Sequence, residues 1–166
     1  LLVCSCKNGD KDSAVSGYKQ IGELTGSARN LAVSNPGEAL LLCDSAEMLA
    51  VKYALTDSFD LPIAFIRANS VDALGMPDSA FSIINSQYEK SVQWVDTVAL
   101  SKCLYNLGRF SFIGGHIPRA EKYLARNISL MEQAGIEKNM AGNLTLYAEV
   151  LREKGDLTEA QEVLFR

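Results

Sequence analysis

The 166-residue chain holds one histidine and four cysteines, so nucleophilic, acid–base and metal chemistry would rest on very few side chains. His116 stands in Gly114-Gly115-His116-Ile117-Pro118, whose glycines and proline read as a tight turn. A turn histidine of this kind is solvated or caps a helix. A nucleophile needs a base within hydrogen-bond reach, and no serine, cysteine or carboxylate motif stands beside His116. The expected catalytic set is therefore empty, and the chain reads as a non-enzyme. Cys43 and Cys103 fall on apolar helical faces, where cysteine behaves as a small hydrophobe. Cys4 and Cys6 are separated by one residue; with no CxxC and no Cys/His cluster, neither a metal nor a cofactor is expected. Gly114-Gly115 is not a phosphate loop, because no Lys-Ser/Thr follows it. Asn127-Ile128-Ser129 and Asn143-Leu144-Thr145 fit the N-glycosylation pattern but fall inside predicted helices. Trp94 reads as a packing residue between repeats, since its ring buries a large area.

Composition narrows the partners. Sixteen basic and 20 acidic side chains leave a net charge of -4, with no basic run, so nucleic-acid binding by bulk electrostatics is excluded. The 48% hydrophobic and 22% charged residues describe a folded chain rather than a disordered one. No apolar stretch approaches the roughly 20 residues that span a bilayer.

The elements that position these residues come from an internal period. Gly75, Gly115 and Gly155 are forty residues apart. Five positions after each stands Ala80, Ala120 or Ala160, and four further Ile84, Leu124 or Leu164. Ala68, Gly108 and Ala148 precede the glycines by seven positions, and Val71, Ser111 and Leu151 by four. Apolar and small residues recurring every three or four positions make amphipathic helices. Each glycine supplies a left-handed stop, and Pro77-Asp78, Pro118 and Asp156-Leu157-Thr158-Glu159 restart the chain as a helix. The pattern predicts helices over 18–33, 36–56, 61–73, 77–92, 95–113, 117–133, 138–154 and 157–166, with Pro62 in a first helical turn. Gly22 and Gly26 weaken the first helix by about 1 kcal/mol each. Residues 7–17, rich in Ser, Gly, Asp and Lys, read as a flexible tether.

Leu104, Leu107-Gly108, Gly115, Ala120 and Leu124 resemble the helix–turn–helix signature of the tetratricopeptide repeat, and so do Leu144, Tyr147-Ala148, Leu151, Gly155, Ala160 and Leu164. Arg67 and Ser111 depart from it, standing where a large apolar residue and an aromatic are usual. The period also exceeds the usual length of about 34 residues. The resemblance implies an all-α fold over 18–166, about four stacked antiparallel helix hairpins forming a right-handed superhelix. It also implies a concave face built from the first helix of each hairpin. Exposed there would be Phe65, Asn69 and Asp72, then Lys102, Tyr105, Arg109 and Phe112, then Thr145, Glu149 and Arg152. Two readings of the middle set stand side by side. Lys102 with Arg109 would clamp a carboxylate of a bound peptide, or Tyr105 and Phe112 would pack on neighbouring helices with the charges solvated. The expected partner is a protein or peptide.

The start of the chain, Leu1-Leu2-Val3-Cys4-Ser5-Cys6 before a polar segment, resembles the lipobox of bacterial lipoproteins. That resemblance implies lipidation at Cys6, a membrane link through this anchor alone, and a lipid-anchored or periplasmic place in the bacterial cell envelope; a cytoplasmic protein is the alternative. Val163-Leu164-Phe165-Arg166 lies inside an amphipathic pattern without a stop signal, so a longer natural protein is expected, with self-association through the open end as a further expectation. Long repeats behind an exported start also resemble the sensory segments of Bacteroidetes-type regulators. The second functional reading is accordingly a sensory part of a histidine kinase or helix-turn-helix regulator.

Overall fold

The computed structural model describes residues 9–165; Cys4 and Cys6 lie outside the described residues, as does the side chain of Trp94. Eight helices follow one another, with no strand among the described residues. They are α1 Gly9–Leu31, α2 Pro36–Lys52, α3 Thr56–Ala73, α4 Pro77–Trp94, α5 Thr97–Ile113, α6 Ile117–Ala134, α7 Met140–Lys154 and α8 Leu157–Leu164. None is long and apolar enough to cross a membrane. The protein is all-α, built of antiparallel helix hairpins, and sequence neighbours pack on each other within α1–α3 and within α4–α8. It divides into two compact units, the first ending at Gly75 and the second beginning at Met76, where the repeat pattern predicts one continuous domain.

Short turns make consecutive helices antiparallel, and five of these turns close in the same way. The residue after a left-handed one returns its N–H to the carbonyl five positions back: Leu55 to Ala50 at 2.8 Å, Asp96 to Ser91 at 3.2 Å, His116 to Ser111 at 2.8 Å, Ile136 to Met131 at 2.8 Å and Asp156 to Leu151 at 2.9 Å. The left-handed residues are Ala54, Val95, Gly115, Gly135 and Gly155. Gly115 and Gly155 follow from the sequence period. Ala54 and Val95, with Gly135, form a second series that the glycines alone do not reveal.

Three expectations change. α1 starts at Gly9, so residues 9–17, read as a tether, are helical. α3 starts at Thr56 directly after the left-handed turn, which places Pro62 inside the helix rather than in its first turn. The early start brings Phe59 into the core, where its ring lies 4.9 Å from that of Tyr18. Asp156 begins α8 but makes no side-chain cap, because its carboxylate takes Lys154 Nζ at 2.9 Å instead. Two other starts carry a side-chain cap: Asn35 accepts from the Glu38 N–H at 3.4 Å, and Asp96 from the Ala99 N–H at 2.9 Å.

In the first unit, Ile21 and Ala28 of α1 meet Cys43, Ala46 and Ala50 of α2 and Phe59, Ile63 and Ile66 of α3. In the second, Ile84, Leu104, Leu107, Phe110, Leu124 and Leu151 are fully buried. Burying one such side chain contributes about 1.5–3 kcal/mol. The small residues of the pattern set the spacing between helices. Ala80, Ala120, Ala148 and Ala160 are buried, and a Cβ on Gly108 would stand 2.6 Å from Leu124 Cγ.

Candidate functional site

Helix α5 carries the middle set, and the structure divides it. Lys102 is exposed, while Tyr105, Arg109 and Phe112 are half-buried. Tyr105 and Phe112 pack against the apolar cluster of Ala120, Leu124 and Val150, which matches the reading in which these rings belong to the seam between helices. Arg109 lays its guanidinium over the Phe110 ring, 4.3 Å from the centroid. Lys102 and Tyr105, one helical turn apart, also line a groove of about 390 Å³ with Ser101 and Asn106. Arg109 and Phe112 do not line it, so Lys102 and Arg109 are not brought together as a clamp.

The opposite wall of this groove comes from residues that the repeat period assigns to no face: Lys138, Asn139, Gly142 and Asn143, with Met131 from α6. Asn139 adopts φ 69°, which turns the chain into α7, and its side chain makes no cap. The first N–H groups of α7 give this wall a partial positive charge. Among the described residues neither Lys102 nor Lys138 is in an ion pair. The groove is therefore cationic, with amides and a tyrosine for hydrogen bonding. The second wall follows from the α6–α7 connection over 135–139, the longest between helices among the described residues.

Below the groove lies a buried amide pair. Asn127 is 0% exposed and donates Nδ2 to Asn143 Oδ1 at 2.5 Å. Asn143 donates in turn to the Asn139 carbonyl at 2.9 Å. Both asparagines of the glycosylation-like motifs are thus interior residues that tie α6 to α7.

The other expected residues stand elsewhere. Phe65, Asn69 and Asp72 belong to α3 in the first unit and are half-buried, with Asn69 and Asp72 each engaged in interactions of their own. Thr145, Glu149 and Arg152 line a separate groove of about 400 Å³ between α7 and α8. A third groove, of about 520 Å³, is lined by Glu132, Glu159 and Glu162 with Tyr147 and Leu144. In that vicinity burial, then Glu159 and Glu121, raise the Tyr147 phenol above its ordinary range.

The two departures from the repeat pattern carry polar networks. Arg67 reaches Asp44 at 2.8 Å and Glu47 at 2.9 Å. Burial opposes its charge, and the two carboxylates more than offset that and raise its pKa. Ser111, fully buried, accepts from Arg119 Nε at 3.0 Å; Arg119 also pairs with Asp78 at 3.2 Å and stacks on Phe81 at 4.1 Å. His116 begins α6 and sets Nε2 3.3 Å from the same Asp78 carboxylate.

Cys103 is buried, which pushes its thiol up to about 11, with Ser91 acting in the opposite sense. Burial raises Cys43 as well. Both thiols are therefore protonated at neutral pH and weak nucleophiles. Among the described residues, no group of three or more His, Cys, Asp or Glu side chains could hold a metal ion. No protein-family model matches the chain, and no curated protein matches it significantly.

Proposed function

We propose that the protein is a non-catalytic helical-repeat scaffold, similar to tetratricopeptide-repeat proteins, that binds a peptide or protein partner. The observation that carries this reading is the α5–α7 groove, where Lys102 and Lys138 flank Tyr105 and a row of amides. Lysine ammoniums and uncapped helix N–H groups favour carboxylates. Tyrosine offers a large, stiff contact surface at small entropic cost. The favoured partner segment therefore carries acidic side chains or a free C-terminus. The net charge of -4 does not oppose this, because recognition depends on the local field of the groove.

The test is affinity measurement against a library of acidic peptides, with the unmodified chain compared with Lys102→Ala, Lys138→Ala and Tyr105→Ala. Each is expected to weaken the best binders about tenfold, equivalent to about 1.4 kcal/mol. Arg109→Ala, outside the groove, is expected to leave binding unchanged. Equal affinity across all four variants would remove the groove assignment.

A further inference from the structure

The buried amides of Asn127 and Asn143 can be joined in one direction only. The Asn139 backbone carbonyl can only accept, and it takes the Asn143 backbone N–H at 3.2 Å and Asn143 Nδ2 at 2.9 Å. The Asn143 amide therefore turns its amino group to Asn139 and its oxygen to α6, where Asn127 Nδ2 donates to that oxygen at 2.5 Å. Two amides in series that end on a carbonyl leave the first oxygen over. Asn127 Oδ1 is indeed buried and makes no hydrogen bond among the described residues. A buried acceptor without a donor is unfavourable, and an apolar pair of the same shape would hold the α6–α7 seam at least as well. The consequence of the amide pair lies instead at the surface it borders. Asn143 is 4% exposed and lines the α5–α7 groove, whereas Asn127 is 0% exposed and does not.

We propose that Asn127 is a positioning residue that sets the preference of this groove for acceptor groups: it holds Asn143 Oδ1 inward and leaves the Asn143 amino group as the polar end that a bound segment meets. The assignment rests on the groove being the binding site. Asn143 Nδ2 has a second hydrogen besides the one given to Asn139, so it adds a neutral donor to the charge of Lys102 and Lys138. A carboxylate can accept from all three. A ligand group that only donates finds the Asn143 oxygen already engaged. Without the Asn127 amide, Asn143 Oδ1 would be a buried acceptor facing no donor. Turning the amide toward the groove restores hydration of that oxygen. The turned amide then presents oxygen to the groove and repels a carboxylate. Asn127 thus acts on a ligand it does not touch.

The first measurement is on the free chain. Nuclear magnetic resonance of the unmodified protein is expected to show a through-hydrogen-bond coupling from Asn127 Nδ2 to the side-chain carbonyl carbon of Asn143. The opposite direction, or no coupling, overturns the assignment. Binding is then measured with two probes. One is the tightest acidic peptide of the library above. The other has the same sequence with Asn and Gln in place of Asp and Glu, and an amidated C-terminus. Asn127→Leu removes the donor at similar volume, and is expected to weaken the acidic probe about tenfold and leave the amide probe unchanged. In an Asn143→Ala background the same substitution is expected to change neither. Equal weakening of both probes, or the same weakening in the Asn143→Ala background, marks a purely structural role and overturns the assignment. Unchanged affinity for the acidic probe overturns it too. Asn143→Ala alone is expected to weaken the acidic probe as much, and unchanged affinity there overturns the assignment even if Asn127→Leu fails to fold. If no acidic peptide binds the unmodified chain, the groove reading itself fails and takes this assignment with it.

Discussion

Hairpins α5/α6 and α7/α8 place the same residue types at positions forty apart and give them opposite surroundings. Leu124 is 0% exposed and Leu164 is 59% exposed, although each sits four positions after a buried alanine in the second helix of its hairpin. The difference lies in the neighbour. α7 lies over α5/α6, and among the described residues nothing lies over α7/α8. In a linear stack the hydrophobic effect acts between adjacent hairpins, so a position becomes core only when the next hairpin covers it. The repeat pattern therefore marks where a core can form, and the order of the helices decides where it does.

The sharpest way to break this comparison is to truncate both leucines. Leu124→Ala is expected to cost about 2–5 kcal/mol, the range for buried leucines that leave a cavity. Leu164→Ala is expected to change stability by no more than about 0.5 kcal/mol, as for ordinary surface positions. Urea denaturation of the two variants gives the comparison directly. Equal losses would mean that the two hairpins are equally covered in solution.

A second contrast concerns the contact under those leucines. Gly108 brings α5 so close to α6 that an added Cβ would meet Leu124 Cγ at 2.6 Å, whereas α7 carries Ala148 at the equivalent position. Gly108→Ala gains helix propensity of about 1 kcal/mol. Overpacking against a fully buried leucine costs about 1–3 kcal/mol. A net loss of up to about 2 kcal/mol is expected in thermal denaturation. Gly22→Ala in α1, with nothing within 4 Å of the added carbon, is the control and is expected to gain stability. A stabilised Gly108→Ala would show that α5 and α6 have room to part.

These contrasts also mark what could be read without coordinates. All eight helices were legible, because Gly115 and Gly155 stop helices and Pro77 and Pro118 restart them, and these are strong local signals. The start of α1 was not, because a polar stretch such as Ser13-Ala14-Val15-Ser16 has no helical signature of its own and takes its conformation from continuity with the packed segment around Ile21. Of the candidate site, Lys102 and Tyr105 could be placed on α5 through the repeat resemblance. Lys138 and Asn139 could not, because their positions depend on the path of the α6–α7 turn. Nor could the pairing of Asn127 with Asn143, since the motif that draws attention to these residues concerns surface chemistry and their role is interior.

The smallest expected effect concerns the second series of left-handed residues, and it sharpens the comparison between copies from the side of the backbone. Gly135 leads from α6 toward α7 at φ 64°, and Val95 leads from α4 toward α5 at φ 56°. The same closing hydrogen bond forms in both, from Ile136 to Met131 at 2.8 Å and from Asp96 to Ser91 at 3.2 Å. A β-branched residue is disfavoured in this region, because Cβ crowds the following carbonyl at a cost of roughly 1–2 kcal/mol. Val95 is 82% exposed, so its side chain recovers little of that by packing. Val95→Gly relieves the crowding but adds freedom to the unfolded chain, and the balance is a gain of about 0.5–1 kcal/mol. Gly135→Val is the reciprocal substitution and is expected to lose at least as much. If Val95→Gly instead destabilises the protein, the valine is held by a contact that the exposed turn does not contain, and the two turns are not equivalent in solution.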